Sequence, residues 1–171
     1  DVPIVLATFM GGLALGAWRL GKAADRSANP LRLYGILEIV IALFCAAYPL
    51  LIGFCEQAFI TLARSLHVAS DGFALTTSKC LVAALTLLVP TFCMGGTLPV
   101  LLKPFTRTIQ EAGREVARLY WVNSAGAVVG AALAGFVLIR LYSLDGAVWC
   151  ASAVNGAVGI AALVLGRRGG R

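Results

Sequence analysis

Residues 119–141 read LYWVNSAGAVVGAALAGFVLIRL, a run long enough to cross a bilayer and built largely of small side chains. A membrane helix needs about 20 apolar residues, and this run supplies them with Arg140 as its single charge, at the far edge. Gly126, Gly130 and Gly135, with Ala127, Ala131 and Ala134, leave much of the helix surface almost without side chains. In lipid, apolar side chains gain little by leaving hydrocarbon for one another, so helices associate by close van der Waals packing where small residues let backbones approach. The run therefore reads as a central packing post. Gly126 and Gly130 form a G-x-x-x-G pair, and Asn123, one turn earlier, adds a polar group that needs a partner when buried.

The composition agrees with that reading. Hydrophobic residues make up 60% of the 171-residue chain and charged residues 13%, against roughly 25% charged in a soluble domain. The mean hydropathy is +0.89. An integral membrane protein follows: an all-α, polytopic transmembrane helix bundle forming a single domain over residues 1–171, with no room for a sizeable soluble domain beside it. A net charge of +6 would suggest nucleic acid in a soluble chain. Here the basic residues cluster in short loops between apolar runs, which is a topology signal and argues against a nucleic-acid partner.

Outward from the central run, the apolar stretches predict five spans, at about 3–20, 31–52, 80–102, 119–141 and 146–165. The first carries its own small-residue face at Gly12 and Gly16, so it is expected to lie beside the fourth. The third contains Pro90, Gly95, Gly96 and Pro99. Proline removes a backbone donor and clashes with the preceding turn, so this helix is expected to be kinked or locally unwound. Two readings stand: a packing kink, or a broken helix whose backbone groups face a site.

Between the second and third spans, Phe54, Phe59, Leu62, Leu66 and Phe73 fall on one helical face and Gln57, Arg64, His67 and Asp71 on the other. That pattern predicts an amphipathic helix lying in the interface. His67 has no acidic or Cys partner at ligand spacing and reads as a solvated side chain. The five cysteines, Cys45, Cys55, Cys80, Cys93 and Cys150, show no C-x-x-C pair and read as small apolar residues, with one disulfide among Cys55, Cys80 and Cys150 left open. No metal site, cofactor site or catalytic residue emerges.

Lys and Arg concentrate in the loops 19–32 and 103–118 and at the C-terminus. The positive-inside rule makes those regions cytoplasmic. Trp18, Tyr34 and Trp121 then fall at the inner boundary, and Tyr48, Tyr142 and Trp149 at the outer one. Five spans beginning outside predict a further helix ahead of Asp1, so the chain reads as a fragment. One ionisable group lies well inside a span. Glu38 must face the bundle and be protonated or partnered, because a bare carboxylate at depth costs several kcal/mol; Asn123 and Tyr120 stand at similar depth as its candidate partners. A structural hydrogen bond and a cation or proton site both remain open for it.

Four blocks, ATFMGGLALGAWRLGKAADR (7–26), PLRLYGILEIVIALF (30–44), VPTFCMGGTLPVLL (89–102) and LYWVNSAGAVVGAALAGFVL (119–138), cover most of the chain. In that order they resemble the membrane region of the fused, integral-membrane spermidine synthase family, a polyamine aminopropyltransferase-like group. The resemblance implies a multi-span bundle ahead of a cytoplasmic synthase domain, in a bacterial inner membrane. The glycine-rich nucleotide loop and the acidic residues of that domain have no counterpart in this sequence, so no catalytic role carries over, and any enzyme activity would reside outside these residues. A second, shorter likeness is Gly21-Lys-Ala-Ala-Asp25-Arg26, similar to the G-x-x-x-D-R core of the loop after the second helix of major-facilitator transporters; its basic ending is absent here, and a basic anchoring loop with Asp25 paired locally explains it as well.

Two functions follow. One is a membrane-embedded anchor or assembly module that packs against the lipid bilayer and other membrane subunits. The other is a transporter-like module that binds or moves a small cation such as a polyamine, with Glu38 and the Pro90–Pro99 region as its site.

Overall fold

A computed structural model describes residues 2–66, 73–105 and 109–168, and apart from the three-residue turn at 27–29 all of them are helical, with no strand among them. The order is α1 (Val2–Arg26), α2 (Pro30–Leu66), α3 (Phe73–Leu102), a short 3-10 turn (Lys103–Phe105), α4 (Ile109–Leu133), a π-helical stretch (Ala134–Leu138) and α5 (Ile139–Arg168). Three stretches are long and apolar enough to cross a membrane by length and composition: Pro3–Arg26, Pro30–Cys55 and Gly113–Arg167. The last covers 55 residues, about 80 Å at the α-helical rise and more than twice a hydrocarbon core of about 30 Å. A break divides it. Ser143 takes φ 66°, ψ 179°, a backbone region that glycine alone enters readily. The turn expected at 142–145 contains this residue, while the π-helical stretch before it had no counterpart in the sequence reading.

Two helix pairs build the bundle. α1 packs most extensively on α3, and α2 on α5, with α2 also touching α3. In the first pair the contacts climb together: Gly12 meets Thr91, Gly16 meets Phe92, Leu13 meets Gly95, Leu20 meets Gly96 and Gly21 meets Pro99. α1 and α3 therefore run parallel. In the second pair the contacts run opposite ways. Gly35 faces Gly159 and Leu163, Ala42 faces Gly156, and Gly166 faces Asn29 and Arg32, so α2 and the later part of α5 are antiparallel. The buried core lies where the pairs meet, formed by Ala24, Leu37, Ile41, Cys93 and Val100.

Local chemistry fixes the ends that position the site. Asn29 caps α2: its Oδ1 accepts from the Arg32 backbone N–H at 3.0 Å, and Pro30 occupies the first helical position, where a missing N–H costs nothing. The same side chain donates through Nδ2 to the Gly166 carbonyl at 2.7 Å, tying the start of α2 to the end of α5. Farther along, Ser152 Oγ donates to the Ala42 carbonyl at 2.7 Å. Asn29→Ala removes the cap and the tie together, and we expect a loss of about 2 kcal/mol, read as a lowered midpoint on unfolding in mixed detergent micelles.

The structure departs from the sequence expectations in three places. The stretch 53–79 is not a separate interfacial helix: its residues to Leu66 continue α2, and those from Phe73 begin α3. Nothing between 44 and 66 stops a helix strongly enough, since Pro49 inside α2 deletes one hydrogen bond while its neighbours keep theirs. His67 and Asp71 lie outside the described residues. Of the kink or local unwinding expected of α3, the unwinding is absent: Pro90 and Pro99 lie inside a continuous helix. Finally, α1 lies beside α3 and not beside α4, which has its main contact outside its own continuation on α3 and is exposed along most of its length.

Candidate functional site

Glu38 sits on α2 nine residues past its cap, about 13 Å along the helix axis, and is 8% exposed. It is the one buried carboxylate of the described residues. One turn earlier on the same face stands Tyr34, which lines the same cavity as Glu38. An i,i+4 spacing brings such side chains together on any helix, so this neighbour was legible from the sequence, where Tyr34 read only as a boundary aromatic.

The two side chains line a half-open cavity of about 220 Å³ whose other walls are Thr97, Leu98 and Leu101 of α3 and Leu119, Val122 and Asn123 of α4. Of the two partners expected for Glu38, Asn123 shares this cavity. Tyr120 does not line it and is 62% exposed. Thr97 was missed as well. Its Oγ1 donates to the Met94 carbonyl at 2.8 Å, which holds the hydroxyl in place and leaves its lone pairs for the cavity. The cavity thus carries four oxygen-bearing side chains, Tyr34, Glu38, Thr97 and Asn123, beside leucine and valine. Among the described residues no three His, Cys, Asp or Glu side chains come within metal-ligating reach of one another.

The glycines divide into two groups. A Cβ on Gly12 would collide with the Thr91 side chain, one on Gly16 with the Phe92 carbonyl, one on Gly95 with the Leu13 backbone and one on Gly96 with the Leu20 side chain. These faces, with Gly35 and Gly159, carry helix contacts inside the chain. By contrast Gly126, Gly130 and Gly135 have nothing within 4 Å of where a Cβ would stand. Of the Pro90, Gly95, Gly96 and Pro99 group, Gly95, Gly96 and Pro99 face α1, with Gly21 in van der Waals reach of Pro99.

One end of the bundle is basic. Lys22 and Arg19 lie over the Trp18 ring at 4.2 and 5.4 Å from its centre, and Arg32 on α2 stands against Gly166 of α5. Lys103 forms an ion pair with Asp25 across the ends of α3 and α1. Asp25 therefore pairs across helices instead of within its own loop; both partners are largely exposed, and the pair is worth at most about 1 kcal/mol. Cys45, Cys55, Cys93 and Cys150 are free thiols, so neither Cys55 nor Cys150 takes part in the disulfide considered from the sequence; the side chain of Cys80 lies outside the described set. Comparison with protein-family models, with curated proteins and with solved structures finds no match to this chain.

Proposed function

We propose that this chain is a membrane-embedded assembly module, the membrane part of a spermidine synthase-like protein, whose fourth helix docks on another membrane subunit. The observation that carries this reading is the open glycine face of α4, Gly126, Gly130 and Gly135, in contrast to the faces at Gly12 and Gly16, Gly95 and Gly96, and Gly35 and Gly159, which neighbouring helices fill. We commit to a second copy of this chain as the subunit. A G-x-x-x-G face is complementary in shape to itself, and Gly35 against Gly159, with a would-be Cβ 2.8 Å from the opposing carbonyl oxygen, is already such a contact within one chain.

The five-crossing topology belongs to the same proposal. The break at Ser143 cuts the 55-residue stretch into two pieces of membrane length, α3 supplies a further crossing, and the helix directions bring Arg26, Arg32, Lys103 and Arg167 to one end, which the positive-inside rule makes cytoplasmic. A bacterial inner membrane suits that arrangement.

In a bilayer self-association assay, Gly126→Leu with Gly130→Leu is expected to weaken the dimer at least about tenfold. The control is Gly11→Leu, at a position that also faces open space but lies outside the α4 face, and it should leave the dimer intact. A wild-type chain that stays monomeric at high protein-to-lipid ratio would overturn the assembly reading.

A second reading has its own observation. Glu38 and Asn123 face one cavity, as a transporter-like module that binds a small cation requires.

A further inference from the structure

We propose that the Glu38 cavity is a binding site for a small monoamine: one protonated ammonium group at the Glu38 end and a short apolar body along Leu98, Leu101, Leu119 and Val122. The inference deepens the small-cation reading and rests on it, and is independent of any pairing of α4.

The donor and acceptor balance sets the charge of the ligand. Thr97 spends its hydroxyl proton on the Met94 carbonyl, so its oxygen offers lone pairs only, as does an ionised Glu38 carboxylate, while the Tyr34 hydroxyl can accept as well as donate. Asn123 is the fourth polar wall residue and adds an amide oxygen beside two N–H donors. An ammonium has three donors and no acceptor, and this wall offers it four oxygen-bearing side chains, one of them an acid. An anion would find no cationic side chain among the lining residues, and an alcohol would match the acceptors with one proton.

A single carboxylate sets the number of charges. Glu38 is the only acid on the cavity wall, and each further ammonium carried into an apolar site without a counter-charge costs several kcal/mol. A ligand with one ammonium fits and a linear triamine does not. The volume sets the size. A cavity of ~150 Å³ takes one benzene molecule, so about 220 Å³ accommodates up to roughly nine heavy atoms. The four aliphatic wall residues select an apolar body over a polar one. Cyclohexylamine, with one ammonium and six ring carbons, meets each requirement and serves as the probe.

The experiment is calorimetric titration of the full chain in nanodiscs, with cyclohexylamine, cyclohexanol and spermidine as ligands and empty nanodiscs subtracted. Saturable binding of cyclohexylamine is expected, at least about tenfold tighter than cyclohexanol. Glu38→Gln should abolish that preference. If Glu38→Gln does not fold, Thr97→Val and Asn123→Leu decide, each removing one acceptor outside the buried core, and each is expected to weaken the amine several-fold. Unchanged affinity in both, or equal affinity for the amine and the alcohol in wild type, overturns the proposal. Tighter Glu38-dependent binding of spermidine than of cyclohexylamine overturns the monoamine assignment and leaves a cation site standing. No Glu38-dependent binding of any amine sinks both. Gly126→Leu with Gly130→Leu retains amine binding whatever its oligomeric state, since neither glycine lines the cavity.

Discussion

Gly16→Val is expected to abolish the packing of α1 on α3 and with it the stable fold. A β-carbon at position 16 would stand inside contact distance of the Phe92 carbonyl oxygen, carbon and Cα. Those are backbone atoms of a helix and cannot turn aside as a side chain can. Relief requires the helices to separate, which strips contact from Gly12 against Thr91 and from Leu13 and Leu20 against Gly95 and Gly96. Gly16→Ala alone should cost about 3 kcal/mol, at the upper end for overpacking, and valine more. The measurement is the unfolding midpoint in mixed micelles, with Gly11→Val as the internal comparison. Because Gly11 faces open space, that variant should unfold as wild type does. Equal losses at 16 and 11 would contradict the pairing of α1 with α3.

The second large effect is expected at Gly159→Val, in the antiparallel pair. Its β-carbon would come 2.9 Å from two carbons of Ile39 and 3.0 Å from the Gly35 carbonyl oxygen. Ile39 is a side chain and can shift, but Gly35 is backbone, and the same seam holds the buried Ser152 hydroxyl on the Ala42 carbonyl. Opening it by even one ångström leaves a buried donor and acceptor unpaired, each costing about 1–3 kcal/mol. We expect a loss of about 2–4 kcal/mol overall. Ser152→Ala should be milder at roughly 1 kcal/mol, since it removes the donor without forcing the helices apart. A Gly159→Val protein as stable as wild type would rule out the close α2–α5 approach.

What could be read from the sequence, and what could not, divides along a physical line. Composition and apolar runs gave an all-helical chain with membrane-length stretches, because the cost of burying backbone polar groups in lipid leaves few other solutions. Counting residues along helices set Glu38 and Asn123 at similar height, and the two line one cavity. Partner choice did not follow. A small-residue face states that something approaches closely but carries no address, so Gly12 and Gly16 were matched with the longest such face, at Gly126 to Gly135, when the true fit is to Thr91 and Phe92. The length of α2 was misjudged for a related reason: the span was ended at about 52 and the amphipathic stretch after it taken as a separate helix, yet a helix held by its neighbours continues through the hydrogen bond lost at Pro49. Thr97 escaped notice because its role depends on a carbonyl three residues back and on the helices across the cavity, neither of which leaves a mark in local pattern.

The parallel pairing of α1 with α3 has a consequence for how the chain is made. Gly12 finds its contact at Thr91, roughly eighty residues later; at a synthesis rate of about 5–20 residues per second, that is roughly 4–16 s of translation. Throughout that interval α1 has left the ribosome and its partner does not yet exist. The short 27–29 turn brings α2 next, but α2 packs on α5 and α3 and not extensively on α1, so the face of α1 that holds Gly12 and Gly16 stays open to lipid, or to whatever membrane protein receives new helices, until α3 arrives. Gly12 and Gly16 thus pass through a state in which they resemble Gly126 and Gly130 in the finished fold, and a slowed ribosome between residues 30 and 90 would lengthen it.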